Sequence, residues 1–274
     1  MPIANVQGSS TDGAIEFRNV AFTAPSGKEG VAAFSTRRIL DGISLTLAPG
    51  TTTALLGRSG SGKTTLLRTV NGLVLPTGGS VLVNGREVTP KGLLELRRGI
   101  GYVIQETGLY PHMSIERNVA MPLELAGKPK EEQHRRAAEL LDTVGLPAAQ
   151  LGARMPWQLS GGQRQRAGVA RALANDPSIL LLDEPFGALD PLTRAEMQTM
   201  LRDLLATLKG TSQIGKTALI VTHDLQEAIF LAHRVIFIHE GRVQADLPSH
   251  AVLESDIPAV REYVQAVQRF EAAG

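Results

Sequence analysis

Apolar positions follow two patterns along this chain, and the change between them divides it. Short runs that are apolar without alternation, such as residues 179–182 (ILLL) and 218–221 (ALIV), suit strands buried on both faces of a sheet. Strand-like runs extend over residues 14–22, 43–48, 52–56, 80–83, 100–104, 179–183, 218–222 and 234–239. Between them, helical spacing predicts helices over residues 63–73, 115–125, 131–144, 162–174, 191–208 and 225–232. Ser114 reads as an N-cap, and Pro191, directly after Asp190, takes a first-turn position. Residues 23–33 and 209–215 are rich in turn residues and read as loops. Strands open the chain, helices fill residues 114–174, and strand–helix alternation then returns. The pattern predicts a parallel α/β core carrying an inserted helical subdomain at about 108–174. It also predicts a mobile tail over 1–13, a main domain over 14–245 and a short helical extension over 246–274, amphipathic along 256–273 and packed back on the core.

Composition narrows the function classes. With 28 Lys+Arg against 27 Asp+Glu, the net charge is +1, so no partner held by bulk charge, nucleic acid above all, is expected. No cysteine is present, which removes disulfides, thiolate metal sites and cysteine nucleophiles, and fits a reducing compartment. Aromatic residues at 4%, with 28 Gly and 15 Pro, favour a loop-rich α/β protein over a β-sandwich. No apolar run approaches the roughly 20 residues of a spanning helix, and the first residues lack a basic-then-apolar leader. The expectation is a soluble chain whose membrane role, if any, runs through a partner.

Two motifs carry chemistry. The strand at 52–56 leads into Gly57-Arg58-Ser59-Gly60-Ser61-Gly62-Lys63-Thr64-Thr65, which satisfies G-x-x-x-x-G-K-[ST] in a strand–loop–helix context. Glycines let successive N–H groups turn toward phosphate oxygens at the positive end of the following helix. Lys63 supplies a point charge for the β- and γ-phosphates, and the Thr64 hydroxyl is placed for Mg²⁺. The second motif closes the strand at 179–183 with Asp183-Glu184-Pro185. Adjacent carboxylates at the end of a buried strand are costly unless a cation or a reacting group uses them. Asp183 suits a Mg²⁺-bound water, and Glu184 suits a base for attacking water. Taken alone, the same residues also fit a strand that ends in a polar turn.

Four further motifs resemble those of the ATP-binding-cassette ATPases. Leu159-Ser160-Gly161-Gly162-Gln163 resembles that family's LSGGQ signature. Gln105 follows the strand at 100–104 as the Q-loop glutamine does, and Thr222-His223-Asp224 resembles the switch histidine. Gly187-Ala188-Leu189-Asp190 resembles the D-loop. The motifs stand in family order between about residues 15 and 243. The resemblance implies a RecA-like phosphate-loop core, an antiparallel β subdomain and the helical insertion. It also implies ATP and Mg²⁺ as cofactors, with Thr64, Gln105 and Asp183 at the metal. Two copies would pair head to tail, so that Ser160, Gly161, Gly162 and Gln163 of one meet the γ-phosphate held by the other. His223 and Glu184 would hold the attacking water, Gln105 would sense it, and Asp190 would link the two sites. The family also places an aromatic residue against the adenine, and the register of RRILDGISLTLAPG puts Phe34 there, with Phe22 second.

The run GYVIQETGLYPHMSIERNVAMPL resembles the ATPases of importers for glycine betaine, carnitine or choline. That resemblance implies membrane permease subunits docked at a groove near Gln105–Met113, with His112 and Met113 as contacts, and an extracytoplasmic substrate-binding protein. It places the chain in the cytoplasm, peripheral on the inner face of the cell membrane. Many members of this subgroup carry a C-terminal pair of regulatory modules. About 30 residues follow Gly241-Arg242-Val243, so regulation through such modules is not expected. A cassette ATPase for another cargo, such as an amino acid or lipid, shares these motifs. A soluble cassette protein acting on DNA or ribosomes would show a long coiled coil or a second phosphate loop, and a small-molecule kinase would have no use for LSGGQ.

Overall fold

In the computed structural model, which describes residues 14–26, 35–187, 189–207 and 215–271, the unbroken apolar runs become the middle of a parallel sheet. The first elements are β1 (Ile15–Ser26), β2 (Ser35–Leu47), β3 (Thr52–Leu56), α1 (Lys63–Val70), β4 (Gly78–Val83), β5 (Arg86–Glu87), α2 (Leu93–Arg98) and β6 (Ile100–Val103). The helical middle holds α3 (Ile115–Leu125), α4 (Lys130–Thr143), α5 (Ala148–Leu151) and α6 (Gly161–Ala172). Alternation then resumes with β7 (Ile179–Asp183), α7 (Pro191–Thr207), β8 (Thr217–Thr222), α8 (Leu225–Leu231), β9 (Arg234–His239), β10 (Arg242–Pro248) and α9 (Pro258–Glu271).

Two sheets organise these elements. A four-stranded antiparallel sheet has the order β2-β1-β4-β5, and a six-stranded sheet the order β10-β9-β3-β8-β7-β6. Within the second sheet only β10 runs antiparallel, against β9. Every residue of β3, β7 and β8 is buried, which is why those runs show no polar alternation. Alternate residues serve opposite faces. Leu180, Leu182 and Ile220 join α3, α4, α6 and α7 in one apolar cluster. Leu55, Leu181, Leu219 and Ile236 join the antiparallel sheet and α1 in another. Ala54, Leu56, Val235 and Phe237 pack on α8 and α9. Among the described residues no helix is long and apolar enough to cross a membrane.

The structure departs from the sequence reading at the margins. Residues 23–26, expected in a loop, continue β1 and pair with the start of β2, whose own span begins at Ser35 rather than at residue 43. Polar and proline-containing residues hide this hairpin, because its pairing comes from the partner strand rather than from an apolar face. Residues 246–248, placed by sequence in the C-terminal extension, complete β10, an edge strand whose one buried residue is Ala245. Helix α2 is six residues long and packs only the partly buried Leu93 and Leu96 on the core, too short a pattern to read as a helix.

Candidate functional site

Strand order alone assembles the site. In the parallel sheet β3 lies beside β8, β8 beside β7 and β7 beside β6, so their C-terminal ends share one edge. Leu56 pairs with Thr222 and Asp183 with Val221. The phosphate loop, His223, Asp183-Glu184 and Gln105 therefore emerge side by side.

The loop between β3 and α1 is built around close backbone approaches. A Cβ on Gly57 would stand 2.1 Å from the Ile238 carbonyl oxygen, and Gly62 has φ +103° with the Ile39 carbonyl 2.8 Å from its Cβ position. Lys63 is buried, and its Nζ donates to the Gly57 and Arg58 carbonyls at 2.7 and 3.0 Å. Burial holds this ammonium below the ordinary lysine value, while the charges of Glu184 and Asp183 pull it back up. The Ser61 hydroxyl is buried without a hydrogen-bond partner. An orphaned polar atom within a ring of loop amides suits a phosphate oxygen. Above Ser59, Gly60 and Ser61 opens a cleft of about 420 Å³ bounded by Arg37, Arg38 and Gly241, within the size range of small-ligand sites. Arg37 and Arg38 were not apparent from sequence, because the start of β2 was not read as a strand. Thr65 lies half-buried in the first turn of α1.

Thr64 Oγ1 donates to Asp183 Oδ1 at 2.7 Å. The other oxygen of Asp183 accepts from the Tyr102 hydroxyl at 3.2 Å and lies 3.4 Å from the Arg68 guanidinium. Mg²⁺ keeps several waters and takes only one or two protein oxygens, so this Thr–Asp pair fits it. No group of three or more His, Cys, Asp or Glu suited to a metal occurs among the described residues, which is compatible with such a water-rich ion.

Glu184 sits just past β7 at φ +46°, a left-handed conformation that side-chain-bearing residues rarely adopt. Its N–H donates to the Val221 carbonyl at 2.9 Å, which fixes the bend. Oε2 then lies 3.3 Å from His223 Nδ1 and 3.4 Å from Gln105 Nε2. The structure thus brings Gln105 to Glu184, not to the Thr64–Asp183 pair.

The signature forms a helix start of its own. Ser160 is the N-cap of α6: its Oγ accepts from the Gln163 N–H at 3.2 Å, and Gln163 Oε1 accepts from the Ser160 N–H at 3.0 Å. Leu159 anchors the turn in the core, Ser160 and Gly161 face solvent, and a Cβ on buried Gly162 would meet Thr193 of α7 at 2.4 Å. Asp190 Oδ1 accepts from the Thr193 N–H at 3.1 Å, capping α7, and hydrogen bonding from the Thr193 side chain, then from this N–H, holds its carboxyl below the usual range. Among the described residues no hydrogen bond or ion pair joins residues 160–163 to residues 57–65.

Phe34 and Ala188 lie outside the described residues. Phe22 packs against the apolar cluster beneath the antiparallel sheet. At the expected groove, His112 is exposed and Met113 half-buried. Sequence reading missed what holds this loop. Buried Asn118 accepts from the Tyr110 N–H at 2.7 Å and donates to the Tyr110, Met113 and Ser114 carbonyls at 3.0–3.1 Å. Arg171 of α6 donates to the Thr107 and Gly108 carbonyls at 2.8 and 2.7 Å.

One buried acid behind the site also escaped notice. Glu227 in α8 is 5% exposed, and its Oε1 has no hydrogen-bond partner. Burial, reinforced by the Asp224 charge, pushes its carboxyl up to about 8. A folded value raised above the unfolded one means that its stabilising contribution is full below the ordinary carboxylate range and is lost as pH rises through about 8. The melting temperature of the native chain is therefore expected to fall across that window, and Glu227→Gln to flatten the fall. Calorimetric scans of both proteins from acid to mildly alkaline pH check this, and parallel profiles would contradict it.

A family model described as ABC transporter matches residues 40–187. The chain is 43% identical over 206 residues to the osmoprotectant import ATP-binding protein OsmV of Salmonella typhimurium, covering 75% of this chain and 52% of that one. It is 41% identical over 229 residues to the glycine betaine/carnitine/choline transport ATP-binding protein OpuCA of Bacillus subtilis, covering 83% and 58%. It is 44% identical over 229 residues to the sulfate/thiosulfate import ATP-binding protein CysA of Mycobacterium tuberculosis, covering 81% and 62%. The chain thus spans between half and two thirds of the length of these relatives. A dimeric structure of a post-hydrolysis state of the ATP-binding cassette MJ0796, bound to ADP and Pi, superposes with a TM-score of 0.74 at 33% identity, covering 86% of this chain and 98% of that one.

Proposed function

The chain belongs to the ABC transporter family, and from that premise we propose that it hydrolyses ATP as a head-to-tail pair and thereby drives a membrane importer. The observation that carries this reading is the division of the site within one chain. The phosphate loop, Asp183, Glu184 and His223 share a sheet edge, whereas Ser160–Gln163 open α6 without a bond to that loop among the described residues. A helix N-terminus that presents a serine and one glycine, Ser160 and Gly161, to solvent is suited to an anion. A second copy supplies one: its nucleotide, clamped between the two chains. The dimeric MJ0796 cassette with ADP and Pi supports the same arrangement.

Lys63, Ser61 and the loop amides bind the β- and γ-phosphates, and the cleft beside Arg37 and Arg38 receives the rest of the nucleotide, with Phe34 proposed against the adenine. Thr64, and Asp183 through a water, would hold Mg²⁺, which neutralises phosphate charge. Gln105, which meets Glu184 rather than the Thr64–Asp183 pair, is proposed to report on the attacking water. Glu184, between His223 and Gln105, accepts the proton as water oxygen bonds to the γ-phosphorus and the bond to the bridging oxygen breaks, leaving ADP and phosphate. Asp190 connects the two sites through α7.

The proposed cargo is a quaternary amine of the glycine betaine, carnitine or choline type. OsmV and OpuCA support it, while CysA, of similar identity, shows that sulfate importers share the cassette. The permease is proposed to dock at the loop that Asn118 and Arg171 hold near Gln105–Met113, with an extracytoplasmic binding protein delivering cargo. The chain would then lie on the inner face of the cell membrane. Reconstitution with permease subunits of a quaternary-amine importer tests this. ATPase activity should rise with a binding protein loaded with glycine betaine, carnitine or choline, and stimulation by sulfate alone would overturn the cargo assignment.

A further inference from the structure

Helix α9 was legible in the sequence only as an amphipathic segment that packs on the core. Its second turn does more than pack. Tyr263 Oη donates to the main-chain carbonyl of His223 at 2.6 Å. The next residue back, Glu262, pairs with Arg58 of the phosphate loop at 3.0 Å. Val260 and Val264 bury themselves among Leu56, Leu225 and Val235, and the Tyr263 ring stands edge-on to Phe237 with centroids 5.9 Å apart. One turn of this helix therefore touches the two loops that flank the γ-phosphate position.

The contact matters because His223 is otherwise loosely held. Its side chain is 58% exposed and meets Glu184 at 3.3 Å, with no other ion pair among the described residues. The main chain around it is held by the Asp224 N–H, which donates to Thr222 Oγ1 at 3.0 Å, and by Asp224 Oδ1, which caps α8. The first of these holds the N–H side of the peptide plane that follows His223, and neither engages its carbonyl oxygen. The Tyr263 hydroxyl holds that other side, since it grips the carbonyl from outside the loop. Burial pushes the Tyr263 phenol up to about 12, so the hydroxyl stays protonated and remains a donor at neutral pH.

We propose that Tyr263 is a positioning residue for His223: by donating to its carbonyl, α9 fixes the peptide from which the imidazole reaches Glu184 and the γ-phosphate. The proposal rests on the ATPase reading of the site. It also makes α9 part of the switch, because displacing this helix would free the histidine loop and the Arg58 side of the phosphate loop together.

Tyr263→Phe tests it, since it deletes the hydroxyl and keeps the ring packing. The expected loss in kcat is about threefold to tenfold, the rate equivalent of one ordinary hydrogen bond, with KM for ATP changed by less than about twofold. A role confined to packing would leave the histidine ring unmoved. Imidazole ¹⁵N–¹³C correlation spectra of the labelled, nucleotide-free chain therefore provide the second readout. The chain has six histidines, and His223 is assigned by its absence in His223→Gln. The His223 signals should shift in Tyr263→Phe while the other five stay in place. Unchanged kcat, or a His223 signal that does not move, overturns the proposal. A native chain that hydrolyses no ATP would instead overturn the ATPase reading, and the spectra, which need no turnover, would still report on the tether.

Discussion

Replacing Glu184 by Gln is expected to slow ATP hydrolysis about 10²- to 10⁴-fold, the range that a positioned general base contributes. The substitution is close to isosteric, so the left-handed bend at φ +46° and the N–H bond to the Val221 carbonyl should survive. An amide oxygen can still meet His223 and Gln105, which now lie 3.3 and 3.4 Å from Oε2. What it cannot do is take the proton of attacking water. Nucleotide affinity, proposed to rest on residues 57–65, should stay or tighten, because a negative charge near the polyphosphate has gone. The two effects together predict a trapped state, in which the variant with Mg²⁺-ATP elutes as a stable dimer while the native chain turns its nucleotide over. Phosphate release, ATP binding and size-exclusion profiles measure the three parts. Near-native turnover would remove Glu184 as the base.

The legible part of this site is the part that strands deliver. Runs at 52–56, 179–183 and 218–222 are largely apolar because β3, β7 and β8 are buried on both faces, and the chain leaves all three at one edge. Gly57–Thr65, Glu184 and His223 could be read because each follows such a strand, and Asp183 because it ends one. Ser160 and Gln163 were legible through the resemblance to LSGGQ, and the structure adds that they close a capping box at the start of α6. What escaped notice were contacts between elements distant in sequence. Asn118 looks like any polar residue on α3, yet it is wholly buried under the 110–114 loop. Glu227 carries no spacing signal, and only packing against α7 and β8 takes it out of water. Tyr263 and His223 are joined across 40 residues by a bond to a backbone carbonyl, for which no side-chain pattern exists. The hairpin of β1 and β2 was cut short because its outer residues are polar, and Arg37 and Arg38 disappeared from view with it.

Lys63→Met is expected to weaken ATP binding by about 30-fold to several thousand-fold, the 2–5 kcal/mol range for removing one partner of a buried, hydrogen-bonded charge pair. Without nucleotide, this ammonium sits in a site that does not favour charge. It is 4% exposed, it donates to the Gly57 and Arg58 carbonyls, and burial lowers its pKa. A folded value below the unfolded one means that the charged group costs stability at neutral pH, a cost relieved as pH rises. Methionine keeps the aliphatic length and removes that cost, while leaving two loop carbonyls without their donor. These effects oppose each other, so the melting temperature of the nucleotide-free variant should stay close to the native one. The difference should emerge on adding Mg²⁺-ATP. A ligand at about 100 times its Kd stabilises by about 2.7 kcal/mol, and a variant whose Kd has risen to the ligand concentration or beyond loses nearly all of it. Thermal unfolding with and without Mg²⁺-ATP reads this directly. An equal nucleotide-induced shift in both proteins would mean that Lys63 holds the empty loop together and contributes little to the phosphates. A collapse of the nucleotide-free variant would mean that its bonds to the two carbonyls outweigh the cost of its burial.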